Sequence, residues 1–352
     1  MSEHLFVKPE KLVAAAVGLL EQNLLIPNTF QKEGIEKFQG AEGDAYSTKV
    51  EGILPYRTYG WRNDRSTTIQ YDELAERKVT VNFGDDVYSG VKVTDEQMTM
   101  DVEGWAKFLT PQAKAVGRGL QRRAVDHLVN ADYQAVIGNA EGNLRGALIE
   151  ARKVMNAFNV PDEERFLAVG TDFESELLND DKLNLAQNVG EGEAVSALRE
   201  ATIGRRFGFN IFVDQTIPSD AAYAYVRSAF VFVSGAPAKP RGATYGASTS
   251  YEGIGLSWVV DYDADRQVDR SVVKTFPGFR SVKDVLVAHD EATKQEFIVP
   301  GEHFVRGVKL TLDGSSNYPE AGSDLAKATG ISSDKLWTPT GRVATEADPA
   351  NA

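Results

Sequence analysis

The sequence predicts an α+β chain in which helices and strands are segregated, and three observations carry that prediction. Two period-two runs lie between residues 78 and 93, one long run of helical periodicity follows them, and most of the remaining strand-like segments collect in the second half of the chain. A doubly wound sheet would instead alternate strand and helix throughout. The 352 residues suffice for one large or two modest domains with a buried core.

The first element is a helix over about residues 9–23. Pro9 suits its first turn, and Leu12, Ala16, Leu19 and Leu20 share a face. The apolar run from Leu12 to Leu20 follows Lys8 and Lys11 and so imitates a signal peptide. Glu21, Gln22 and Asn23 offer no small-residue cleavage site, and the run falls short of the roughly 20 apolar residues of a membrane span. The expectation is a cytoplasmic chain with no membrane partner. Past Pro27 a polar arm reaches Gly43. An extended ribbon then occupies residues 43–84, and on its return side Val79, Val81 and Phe83 alternate with Lys78, Thr80 and Asn82. Its middle, RTYGWRNDRS from Arg57 to Ser66, has too few apolar residues for a core, and an isolated two-stranded ribbon is marginally stable at best. The surface it needs must come from the rest of the chain or from another copy.

A second alternation, Val87, Ser89, Val91 and Val93, ends where Thr94 and Gln97 make a capping-box pattern. The helical region behind it is expected to break or kink near Pro111 and to run to Gly138. Leu109, Ala113, Val116, Leu120, Ala124, Leu128, Ala131 and Ala135 recur every three or four residues and form one apolar stripe. The part after Pro111 would span roughly 40 Å, a strut whose small residues allow close approach. Beyond Gly138 and Gly142 a second helix carries Leu144, Ala147, Leu148, Ala151, Val154, Met155 and Phe158 on its buried face. Phe166 to Val169 is a strand, Thr171 with Glu174 caps a short helix, and residues 182–203 are mixed helix and loop. Asn210 to Val213 is a short strand. Tyr223 to Val233, Gly255 to Tyr262 and Val268 to Thr275 are longer strands, followed by Asp284 to Ala288, Glu296 to Val299 and Phe304 to Leu312. From Ser315 the composition drifts to Ser, Gly, Pro, Ala and Thr, which predicts a loosely held tail. No internal repeat is evident.

Composition narrows the chemistry. Acidic residues outnumber basic ones, 51 to 38, and the net charge of -13 disfavours nonspecific nucleic-acid binding while leaving room for a local basic patch. The absence of cysteine removes disulfides, thiolate zinc sites and thiol nucleophiles, and fits a reducing compartment. No glycine-rich run ends in Gly-Lys-Ser/Thr, and Gly138, Gly142 and Gly146 are spaced for hinges and caps. His4, His127, His289 and His303 form no His-x-x-x-His pair, and His127, beside the apolar stripe, reads as a packed structural residue. Members of a hydrolase triad need not be neighbours, but nothing points to one. Asp261, Asp263 and Asp265 open like a calcium loop, yet Arg266 stands where glycine is needed and Val272 where glutamate is needed. A solvated turn between two strands is the expectation. Neither a catalytic residue, a cofactor nor a metal is expected.

Two charged clusters remain. Lys114, Arg118 and Arg122, with Arg123 beside them, repeat at four-residue intervals as a basic ridge, which suits a solvated face, a subunit contact or a nucleic-acid contact. Tyr56, Arg57, Tyr59, Trp61, Arg62 and Arg65 interleave aromatics with arginines, as buried interface hot spots and single-strand grooves both do. Asp44, Glu51, Asp64, Asp72 and Glu73 nearby favour a protein interface over an unremarkable loop, and either over nucleic acid.

Four segments stand in a telling order: KPEKLVAAAVGLLEQN from Lys8 to Asn23, LPYRTYGWRNDRS from Leu54 to Ser66, VYSGVKVTDEQ from Val87 to Gln97, and GLSWVVDYDAD from Gly255 to Asp265. Their layout resembles the major capsid proteins of tailed bacteriophages, the Hong Kong 97 fold. The branch it is most similar to is typified by the coat protein of Salmonella podoviruses and its relatives in actinobacterial phages. The likeness reaches to about Leu312 and is one of layout and local phrasing. It implies an N-terminal arm at 1–42, an extended loop at 43–84, a peripheral domain with a spine helix at 85–142, an axial domain at 143–265, returning peripheral strands at 266–314 and a tail at 315–352. Tyr56, Arg57, Tyr59, Trp61, Arg62, Arg65, Lys114, Arg118 and Arg122 would then touch neighbouring subunits.

The resemblance further implies a homo-oligomer of pentamers and hexamers, closed as an icosahedral shell round double-stranded DNA that it contacts without sequence specificity. A portal protein and, optionally, a decoration protein would accompany it, in the virion and, during assembly, in the host cytoplasm. Because the arm helix begins almost at Met1, a separate scaffolding protein is expected. Lys49 and Lys78 match no cross-linking motif, so no covalent bond between subunits is assigned. An encapsulin-type bacterial nanocompartment shares the fold and stays open as an alternative, as does a soluble oligomeric enzyme.

Overall fold

Period-two sequence becomes strand and period-3.6 sequence becomes helix along much of the chain. The computed structural model describes residues 13–17, 24–33, 45–50, 53–59, 61, 68–69, 71–72, 77–94, 106–179, 205–237, 239–240, 242–243, 245–251, 253–290 and 294–339. In chain order the elements are helix α1 (13–17), α2 (Ile26–Thr29), β1 (Gln31–Glu33), β2 (Ala45–Val50), β3 (Arg77–Asn82), β4 (Val87–Thr94), α3 (Ala106–Val129) and β5 (Val136–Ile137). Then come α4 (Leu144–Ala157), β6 (Arg165–Val169), α5 (Thr171–Asn179), β7 (Arg205–Arg206), β8 (Phe209–Val213), β9 (Ala221–Val226) and β10 (Phe230–Gly235). The last are β11 (Tyr245–Tyr251), β12 (Ile254–Asp263), β13 (Val268–Ser281), β14 (Val287–Asp290), β15 (Gln295–Ile298), β16 (Gly307–Thr311) and α6 (Asp324–Thr329). Two units form, each drawn from three stretches of chain. The first takes residues 1–48, 80–128 and 230–280, and the second 49–79, 129–229 and 281–352. No described helix is long and apolar enough to cross a membrane.

The first unit is a sheet in the order β1-β10-β13-β12-β11, with β4 paired antiparallel to β13 from Val87↔Thr275 to Thr94↔Val268. On α3 the stripe Leu109, Ala113, Val116, Leu120, Ala124 and Leu128 is buried, while Lys114, Arg118 and Arg122 face out. A Cβ on Gly119 would lie 2.6 Å from Val87 Cγ1, so glycine lets the helix lie directly on β4. Two buried glutamines tie the layers. Gln112 Nε2 donates to the carbonyls of Ser89 (3.2 Å) and Ser271 (2.9 Å), its Oε1 accepts from Ser271 Oγ (2.8 Å), and Ser271 Oγ accepts from Trp258 Nε1 (2.9 Å). Gln121 Oε1 accepts the N–H groups of Leu25 (3.1 Å) and Ile26 (3.2 Å). Buried polar atoms thereby find partners, which burial demands.

Phe30 stacks on Phe230 (4.8 Å) and Phe232 on Phe279 (5.0 Å). His127 joins them edge-on to Phe230 (5.9 Å) and stacked on Phe279 (6.2 Å). This is a packing site. Burial, reinforced by Arg280, holds the imidazole below its usual pKa, and its buried Nε2 has no hydrogen-bond partner.

The second unit is a sheet in the order β5-β16-β9-β6-β8-β7, with the hairpin β14-β15 separate from it. Strand β9, AAYAYV, is buried along its whole length between β16 and β6, so it reads as a continuous apolar run. The buried face of α4 is the one the spacing predicts, with the addition of Glu150, whose carboxylate accepts from Lys153 Nζ (2.9 Å) and Tyr318 Oη (3.3 Å).

Several expectations need correction. The long helix is continuous through Pro111, which is exposed, so water can serve the carbonyl left without a donor. It ends at Val129, not Gly138, and its 24 residues span about 36 Å. Ala131 and Ala135 are outside it. Tertiary pairing outweighs spacing here: Val136 exchanges both backbone hydrogen bonds with Asn317, and β5 pairs with β16. The run Tyr223 to Val233 is two strands in different sheets, parted by the 3-10 turn Arg227–Ala229, where Arg227 pairs with Glu164 (2.6 Å). Strand β13 continues past Thr275 through Pro277 to Ser281. The strand expected over Asp284 to Ala288 is β14, which begins only at Val287. The start of α5 is served by backbone: Ser219 O accepts from the N–H groups of Asp172 and Phe173. The aspartate turn is a solvated turn, in which Arg270 pairs with Asp261 (3.1 Å) and Asp263 (3.3 Å).

The tail is packed as far as the described residues go. Tyr318, Leu325, Ile331 and Trp337 are buried, Ser316 Oγ donates to Trp337 O (2.7 Å), and α6 is capped by Ser323 and closed by Gly330 at φ 69°. A Cβ on Gly138 would meet Ser315 backbone at 2.5 Å, so that glycine serves a close approach of the tail. Thr94 ends β4, while Gln97, the other half of the expected capping pattern, and the segment 182–203 lie outside the described residues.

Candidate assembly surface

The limb between β2 and β3 is where the sequence places its interface residues, and its described residues other than Pro55 are exposed. Trp61 is 92 % exposed, Tyr71 90 % and Ile69 62 %, with Leu54, Tyr56 and Tyr59 also in solvent. Among the described residues strands β2 and β3 form a two-stranded ribbon whose hydrogen bonds give the limb a backbone frame. Across the limb Arg57 grips Asp72 with two parallel hydrogen bonds, Nε to Oδ2 at 3.0 Å and Nη2 to Oδ1 at 2.8 Å. Those bonds hold the Asp72 carboxyl below its usual range and raise the guanidinium further. Both groups remain open to water, so the pair shapes the limb more than it stabilises the fold.

Tyr56 differs from its neighbours. Its backbone N–H donates to Glu296 Oε2 (3.1 Å) on β15, and its ring lies over His289 of β14 at 6.4 Å and 24°. The limb's first residues therefore rest on the hairpin of the second unit. Arg62 and Arg65 lie outside the described residues.

On α3 the ridge residues Lys114, Arg118 and Arg122 are exposed on one face. Arg123 leaves the ridge, because its Nη1 donates to Asp85 O (2.6 Å) and its Nη2 lies 3.8 Å from the Asp85 carboxylate. No group of three or more metal-ligating side chains occurs among the described residues. The arrangement offers large aromatic area and charge, the chemistry of macromolecular contact. Sequence reading missed the clamp of Arg306 on Asp284, Nε to Oδ2 at 2.6 Å and Nη2 to Oδ1 at 2.7 Å, because its members are distant in sequence and carry no motif.

The family model described as "Phage capsid protein" matches residues 88–287, more than half of the chain. No curated protein matches. A solved structure from Mycobacterium phage Che8 is similar at 16 % identity and TM-score 0.57, covering 83 % of this chain and 92 % of that one. The capsid of Cyanophage P-SCSP1u is similar at 12 % identity and TM-score 0.51, over 80 % and 89 %. The mature capsid of bacteriophage PhiM1 is similar at 10 % identity and TM-score 0.50, over 88 % and 89 %. At such identities the likeness is one of fold, and that fold is the α+β Hong Kong 97 type. The chain belongs to the phage capsid protein family, as a major capsid protein.

Proposed function

We propose that this capsid protein builds pentamers and hexamers that close into an icosahedral shell round the double-stranded DNA of a tailed phage. Identical subunits joined head to tail close such rings when the rotation is right. The observation that supports this best is the limb, where Trp61 and Tyr71 stand almost wholly in water. Aromatic surface left exposed on a segment without a core marks an interaction site.

In this reading Trp61, with Arg57, Tyr59, Arg62 and Arg65, meets an adjoining subunit, and the ridge Lys114, Arg118 and Arg122 makes a second contact of complementary charge. Residues 1–42 serve as arm, 43–84 as extended loop, 85–142 and 266–314 as peripheral domain, 143–265 as axial domain and 315–352 as tail. The role is structural, without catalysis. The net charge of -13 suits a lining that holds DNA without sequence preference and without gripping it. Scaffolding and portal proteins act as separate chains, a decoration protein can be added, and subunits pass through the host cytoplasm before entering the virion.

Light scattering and electron microscopy of the recombinant chain, with and without its scaffold, test the reading. Large homogeneous particles are expected, and particles from infected cells should contain DNA. Enclosed enzyme cargo would favour a nanocompartment instead. A small oligomer under every condition would overturn the shell reading.

A further inference from the structure

Beneath the start of the limb the second unit holds a cavity of about 520 Å³ with a largely apolar wall that includes Phe158, Val160, Val226, Leu286, Val305 and Ala328. That is within the size range of small-molecule pockets, so an apolar side chain has room to enter. Part of the wall is fixed from behind, because Arg165, itself 2 % exposed, donates to the carbonyls of Val160 and Pro161. The rim is polar. Arg306 is committed to Asp284 and also donates to Ser228 O (3.0 Å), while Glu296 accepts the N–H of Tyr56. Ile53, three residues before Tyr56, lies at the mouth of the cavity and is half exposed.

We propose that residues 53–56 are an anchor within the subunit: Ile53 plugs the cavity of its own chain, and Tyr56 is clasped by Glu296 and His289. The two holds are independent in chemistry, one apolar and one polar. They are three residues apart in sequence, so the second costs little further ordering once the first has formed. An anchored root fixes the direction of the limb and shortens its free length, leaving the part beyond Tyr59 to reach another copy. A shorter tether raises the effective concentration of that tip at its target. The anchor deepens the shell reading and rests on it only for the identity of that target.

The chain has no natural cysteine, so Ile53→Cys combined with Ala328→Cys gives a clean pair for a short bismaleimide. Cross-linking within one subunit, in free chains and in particles alike, is the expected result, read as single-chain mobility with linker mass on a denaturing gel. Dimers and ladders from particles would overturn the anchor and leave the shell reading standing. The same holds if no link forms although both thiols react with a monofunctional maleimide. Failure of the unmodified chain to form particles would overturn the shell reading, and the free subunit would still decide the anchor. A second measurement needs no cysteine: Glu296→Ala should speed tryptic cleavage after Arg57 in the free subunit by about fivefold, the scale of one hydrogen bond. An unchanged rate would contradict the clasp.

Discussion

The limb and the tail are both polar stretches in which large apolar residues are sparse, yet they end in opposite states. In the tail Tyr318, Leu325, Ile331 and Trp337 are buried, and Asn317 pairs its backbone with Val136. In the limb Trp61, Ile69 and Tyr71 are exposed, and it is at its root that the Tyr56 N–H donates to Glu296 on the second unit's hairpin. Average polarity does not separate the two. What separates them is whether the rest of the chain covers the few large side chains, and among the described residues of the outer limb Trp61, Ile69 and Tyr71 are left in solvent.

The tail should therefore be essential to the free subunit, and the limb to the assembled one. Trp337→Ala is expected to destabilise the second unit by about 3 kcal/mol, the cost of deleting a buried aromatic, measured by urea unfolding of the free subunit. Trp61→Ala with Arg62→Ala should leave that unfolding curve within about 0.5 kcal/mol of the original, Trp61 being exposed, while particle yield and heat resistance fall. Normal particles from the double variant would break the comparison.

A smaller effect sharpens it from within the first unit. Burial depresses the His127 pKa below 6.5, so the unfolded chain takes up this proton at a higher pH than the folded one. The associated stability is complete above pH 6.5 and is lost as pH falls through the folded value. His127→Phe should flatten the loss between pH 7 and about pH 5 relative to the parent, by urea unfolding at each pH; an identical slope would contradict the packing role. Smallest of all, Lys114→Glu with Arg118→Glu should leave subunit stability unchanged and alter only the salt dependence of assembly, because both residues lie on the open face of α3.

Much of this was legible in local pattern. The stripe from Leu109 to Leu128, the buried face of α4 and the alternation of β4 follow from spacing alone, because each element buries one face. The end of the long helix was not, since Ala131 and Ala135 continue the helical spacing while their neighbours are drawn into pairing with Asn317 and β16. The division of the run from Tyr223 to Val233 is visible only as two polar residues, Arg227 and Ser228, too weak a signal to announce a change of sheet. The packed tail depends on four widely spaced apolar residues that composition averages away. For the surface, the aromatics and arginines of the limb could be read directly. The cavity under Ile53 could not, because its lining runs from residue 53 to residue 329.

The central claim is that the outer limb finds its missing surface on another copy of the chain. Hydroxyl-radical footprinting of Trp61 and Tyr71, read by mass spectrometry in free subunits and in closed particles, tests it most directly. Oxidation of both residues should be fast in the free subunit and fall severalfold on assembly. Equal oxidation in both states, or protection already complete in the free subunit, would contradict it.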